Sequence, residues 1–180
     1  VPNSPFTSGF GIDFRGGARG LLLGLWGPLV IEGNETGGIS LQENAELSIL
    51  GGNVVPGWTP VLIQSNGSTG VSAAFGSQLT FFAGDSGVQI LNHKDVGIDV
   101  YANSQAYFYG DTTITHNGFS SNPSRAGLRI DGNSEAFLRG ADISQNGGPG
   151  ILVLVNSSVD FSNVAFRSNG NGPIVCDSSA

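Results

Sequence analysis

Methionine is missing from the 180 residues, cysteine and lysine occur once each, and only 12% of positions are charged. A single thiol, Cys176, excludes an intramolecular disulfide, and with no second thiol and no His cluster there is no metal set. Packing and hydrogen bonds must therefore hold the fold. The 7 Lys and Arg stand against 14 Asp and Glu, a net charge of −7, so a phosphate backbone meets repulsion and nucleic acid is excluded as a partner. The longest apolar stretch, Leu21 to Val30, is broken by Gly24, Gly27 and Pro28. It is far too short for a membrane span. Neither an initial Met nor a basic, then apolar, leader is present, so any export signal is expected to have been removed or never to have existed. No Gly-x-Ser-x-Gly nucleophile and no helix-based phosphate loop occurs, and no cofactor is implied.

Turn-formers are abundant instead. The 29 Gly and 15 Asn exclude long helices, while 39% apolar residues support one packed domain rather than disorder. Low Lys content with abundant Asn, Ser, Thr and Gly reads as an extracellular or cell-surface protein. The chain is organised by a repeat. Residues 97–110, GIDVYANSQAYFYG, recur almost position for position as residues 127–140, GLRIDGNSEAFLRG. Further copies start at Gly11, Gly38, Gly70, Gly150 and Pro173, at intervals of 27, 32, 27, 30, 23 and 23 residues. The basic period is about 23 residues, and the longer intervals carry loops.

Within each copy the apolar residues alternate with period two, first after the opening Gly and again eight residues later, which is strand patterning. The corner between these strands holds Asn44, Gly76, Asn103, Asn133 or Asn156, residues that tolerate left-handed backbone and, when stacked, can bond to their equivalents. A third apolar run closes each copy with its own Asn, at Asn34, Asn66, Asn117, Asn146 and Asn169. Three short strands cannot bury their inner side chains alone, so each coil must stack on the next about 4.8 Å away. The expected architecture is all-β: a single-domain parallel β-helix solenoid of about six coils of three short strands. It spans residues 11–180, and residues 1–10 form an N-terminal segment placed to cap it. The interval, the Gly-Ile starts and the Asn corners resemble the right-handed parallel β-helix repeat family of the pectin-lyase-like fold. That resemblance implies the handedness and leaves the activity open, since the fold hosts lyases, hydrolases, epimerases, tailspikes, adhesins and structural repeats.

Two constellations stand out. Asp99, Tyr101, Arg129 and Asp131 fall on outward positions of adjacent first strands, at the edge where the loops carrying His93-Lys94-Asp95 and residues 116–125 enter. A polysaccharide lyase needs a cation to neutralise a uronate and a base to take the adjacent proton, roles open to Arg129 with Lys94, Tyr101 or a His. Asp99 and Asp131 are the pair that a hydrolase would use. The same residues also read as a surface ion pair with no chemistry. The second constellation is aromatic. Trp26 and Trp58 lie on extra loops at one corner of neighbouring coils, and the outward residues of the second strands include Leu23, Leu50, Phe82, Tyr107, Tyr109 and Phe137. Such a column fits sugar stacking through Trp26, Trp58, Tyr107 and Tyr109, or an interface, or a surface covered by residues 1–10. The sequons at Asn34, Asn66 and Asn156 fall where the repeat itself calls for Asn. Cys176, at an inward offset, is expected to pack as a small apolar residue.

These readings favour a non-catalytic extracellular or cell-surface β-helix module, structural or interacting, that assembles with itself or contacts a glycan. A small polysaccharide lyase or epimerase acting on an acidic glycan is the alternative. Residues 173–177 begin a seventh coil, an edge open to strand pairing, and a homo-oligomer or head-to-tail assembly is expected on that ground.

Overall fold

A computed structural model describes residues 9–25, 27–52, 59–119 and 124–177. The strands follow in order as β1 (Phe10–Phe14), β2 (Arg19–Leu23), β3 (Leu29–Glu32), β4 (Gly37–Leu41), β5 (Glu46–Gly51), β6 (Val61–Gln64), β7 (Thr69–Ala74), β8 (Gln78–Leu91), β9 (Ile98–Tyr101), β10 (Gln105–Thr115), β11 (Leu128–Ile130), β12 (Glu135–Ser144), β13 (Ile151–Val153), β14 (Ser158–Arg167) and β15 (Ile174–Cys176). All pairing is parallel. One sheet runs β1-β4-β7-β9-β11-β13-β15 and the other β14-β12-β10-β8-β5-β2, with β3 and β6 continuing its far half. The chain therefore makes six turns of a β-solenoid and begins a seventh. The expected copy starts hold: Ile12, Ile39, Val71, Ile98, Leu128, Ile151 and Ile174 are register partners down the first sheet.

The three strands expected per coil are separate only in the first two turns. From β8 onward the second and third runs fuse into one bent strand, and in β10 the bend shows as a register shift between Tyr109 and Thr112. Fusion costs no pairing, because a bulge turns the corner while the ladder resumes on the far side.

Inward side chains stack by kind. Phe81 and Phe108 lie 4.8 Å apart with planes 18° from parallel, and Ile63, Ile90, Ile114 and Ile143 form a fully buried column on the third face. At the terminal turn the corresponding Phe161 is 42% exposed. Cys176, expected to be packed, is exposed. It sits on the last strand, and no described residue covers it.

Two buried polar ladders fix the corners. At the first corner Ser104, Ser134 and Ser157 each accept, through Oγ, the backbone N–H of the serine one coil earlier, at 3.1 to 3.2 Å. The corner itself is turned by two successive left-handed residues, such as Ala102 and Asn103 (φ 55° and 63°). The Asn or Gly was foreseen; its partner is sometimes bulky, as at Phe75 (φ 56°) and Val155 (φ 34°). The stacked Asn ladder lies at the other corner, after the third strand. Asn34, Asn66, His93, Asn117, Asn146 and Asn169 are its rungs. Asn117 Oδ1, for example, accepts the N–H of His93 at 3.1 Å, while its amide donates to the Ile90 carbonyl at 3.2 Å.

The ladder explains why copies open with glycine. A Cβ on Gly97 would lie 2.8 Å from Asn117 Nδ2 and 2.6 Å from the Gly127 carbonyl; one on Gly127 would lie 2.7 Å from Asn146 Nδ2. The rung occupies the space a side chain would need. Gly127→Ala is thus expected to cost about 1–3 kcal/mol, as overpacking a closed core does. Chemical denaturation of that variant measures it, and an unchanged midpoint would contradict this account of the repeat.

Candidate functional site

Register brings the first constellation together as expected. Arg129 on β11 is the direct partner of Asp99 on β9, and its guanidinium grips that carboxylate at both ends, Nε to Oδ1 at 2.8 Å and Nη2 to Oδ2 at 2.5 Å. Asp99 is only 6% exposed although it points outward. Burial pushes its carboxyl above the usual range, against the pull of Arg129. Burial pushes the other way on Arg129, yet the bond to Asp99 and the charges of Asp99, Asp131 and Tyr101 raise it on balance. Tyr101 packs edge-on against Phe75, ring centres 6.0 Å apart. Lys94 is exposed.

Outward positions on this sheet were expected to meet solvent. Ser40, Ser72, Asp99 and Leu152 are buried instead. Longer neighbours fold over small side chains: Gln42 bonds across to Ser40 Oγ at 3.3 Å, and Arg129 covers Asp99. His93, in the His93-Lys94-Asp95 loop, is a ladder rung with no exposure at all, which removes it from the candidate bases. All six arginines are in ion pairs: with Asp13, Glu46, Asp95, Asp99, Asp160 and Asp142. A uronate approaching Arg129 would find Nε and Nη2 already held by the largely buried Asp99 carboxylate.

The aromatic column lies on the outer face of the second sheet. Phe82 on β8 stacks on Tyr109 on β10, ring centres 5.3 Å apart and planes 16° from parallel. Tyr107 stacks on Phe137 of β12 at 5.2 Å and 7°. Tyr107 and Tyr109 are themselves parallel within 5°, so the four rings form one slab. Parallel rings this close cannot be coplanar without clashing, so each gives a face to its partner. Phe82 and Tyr109 stay 38% and 44% exposed, and Leu21, further along the same face, 57%. The Tyr107 hydroxyl donates to Gln105 at 3.0 Å. Around the slab lie the Arg19–Glu46 and Arg139–Asp160 pairs. Trp26 and Trp58 lie outside the described residues, as does nearly all of the 1–10 segment.

One cleft was not foreseen. It is lined by Asp111, Thr112, Thr113, Ala141, Asp142 and Asn163 at the bulged corner.

Residues 96–180 match the family model described as right handed beta helix region. No curated protein and no solved structure matches the chain. The match covers the C-terminal part of the chain, and the parallel sheets of the solenoid continue from there back to Phe10.

Proposed function

We propose that this β-helix is a non-catalytic extracellular or cell-surface interaction module. The reading is carried by the slab of Phe82, Tyr109, Tyr107 and Phe137. An exposed aromatic centre with a charged-pair rim has the composition of a contact surface rather than of idle protein exterior. Because the rings face one another, they offer apolar edges suited to a second protein surface, and a further copy of the chain is the partner assigned here. The closed Asp99–Arg129 pair supports the absence of uronate chemistry.

Sedimentation velocity across a concentration series tests this reading. Association that rises with concentration and is lost in the double variant Phe82→Ser, Tyr109→Ser is the expected result, with circular dichroism showing the fold retained. A protein that stays monomeric at about millimolar concentration, a regime in which even contacts worth only 4 kcal/mol populate, would overturn self-association through this face.

A further inference from the structure

The fold separates one of the three sequons from the other two. Asn34 and Asn66 are rungs of the ladder after the third strand. The Asn66 amide, 1% exposed, donates to the Ile31 carbonyl at 3.3 Å, and its Oδ1 accepts both the backbone N–H and the side-chain amide of Asn34, at 3.1 and 2.9 Å. Both side-chain nitrogens abut a glycine. A Cβ on Gly11 would lie 2.5 Å from Asn34 Nδ2, and one on Gly38 would lie 2.9 Å from Asn66 Nδ2, so neither nitrogen has room for a sugar ring.

Asn156 stands at the other corner and is exposed, as are Val155 before it and Ser158 two residues on. Its side chain bonds to no described residue. The rung at this corner is the next residue: Ser157 Oγ accepts the N–H of Ser134 at 3.2 Å, so the Asn156 amide has no part in it. Asn44, Asn103 and Asn133 hold the same exposed place on earlier coils. What sets Asn156 apart is the residue two positions on, which register aligns as Glu46, Gln78, Gln105, Glu135 and Ser158. Four coils place a long polar side chain there, and the fifth has a serine, which completes Asn-x-Ser. The repeat accounts for the Asn at this corner but not for the serine.

We propose that Asn156 is the acceptor of an N-linked glycan, with a polyprenyl-diphosphate-linked oligosaccharide as donor. In the transfer a bond forms between Asn156 Nδ2 and C1 of the first sugar, the bond from C1 to the diphosphate oxygen breaks, the amide gives up one proton, and polyprenyl diphosphate leaves. The product keeps Oδ1 and one N–H, and the fold uses neither. The inference rests on the extracellular part of the reading above, because the modification belongs to exported chains.

The test is to lead the full chain through the secretory pathway of cultured animal cells with a cleavable signal peptide. Folded protein, identified by its β-sheet circular dichroism, is then weighed by mass spectrometry before and after peptide N-glycosidase, which leaves Asp at each position that carried a glycan. One glycan, on Asn156, is expected. Ser158→Glu restores the residue type of the other coils and should abolish it with the fold retained. Glu135→Ser completes a sequon at the equivalent Asn133 and should add a second glycan. A bare Asn156, a folded protein glycosylated at Asn34 or Asn66, or a folded Glu135→Ser protein bare at Asn133 would each overturn the proposal. Export is imposed in this experiment and self-association is read separately, so a bare Asn156 removes the site and leaves the module reading standing.

Discussion

Lowering the pH from 6.5 to 4 is expected to remove about 3 kcal/mol of folding stability through one residue, His93. The ring is wholly buried. Its Nδ1 faces the backbone N–H of Asn66 at 3.2 Å, and its Nε2 faces the Ile63 carbonyl at 3.0 Å. Asn66 can only donate, so Nδ1 must be unprotonated and the proton sits on Nε2. The neutral ring thus reproduces what an Asn side chain does elsewhere in the ladder, accepting one backbone N–H and donating to the preceding isoleucine carbonyl. Burial lowers its pKa from 6.5 to about 4, although the Ile63 carbonyl favours the charged form. The side chains and backbone groups around it, from Asn66, Asn117, Ile63 and Gly70, carry no charge. The unfolded chain takes up the proton first, so stability is full above about pH 6.5, falls as the pH drops, and levels off below about 4.

Carboxylates elsewhere titrate in part of the same window, so the decisive comparison is with His93→Asn. That variant restores the residue type found at the five other rungs and leaves a small void, at a cost of about 1–2 kcal/mol near neutral pH. Its stability should be flatter than the wild type's between pH 6.5 and 4 by the 3 kcal/mol above, measured by urea denaturation at each pH. Parallel profiles would show that His93 is not the titrating rung.

The second large effect concerns the first sheet. Ile130 is fully buried, stacked between Val100 and Val153 in the adjoining coils. Ile130→Asp places an unpaired carboxylate in that column, where the cost of several kcal/mol is comparable to the whole stability of a domain. The variant should lose its native β-sheet circular dichroism at neutral pH. Arg129→Lys, one residue away but outward, should keep it. A folded Ile130→Asp protein would contradict the register, because a slip of one residue exchanges inward and outward faces.

The repeat was legible because stacking repeats a demand at fixed intervals. Gly97, Gly127 and Gly150 mark the same crowded spot beside a rung, and Ile98, Leu128 and Ile151 the same inward column. What stayed hidden was identity without likeness. His93 satisfies the ladder with ring nitrogens in place of an amide, so its letter gives no hint of its place. Outward direction was legible for Asp99 and Ser40, but exposure was not, since that depends on how neighbours such as Arg129 and Gln42 fold across them. The aromatic column was visible in the sequence, whereas the sharing of ring faces, which decides what it can touch, follows only from the 5.2 and 5.3 Å stacking.

The most direct test of the non-catalytic reading is a turnover assay on the intact protein with pectate, alginate and glycosaminoglycan substrates, following unsaturated uronate absorbance. The account expects no product from any of them, because Arg129 is already committed to Asp99. Product formation that disappears in folded Arg129→Ala or Asp131→Ala variants would contradict it and make the Asp99, Tyr101, Arg129, Asp131 and Lys94 group the active site of a polysaccharide lyase.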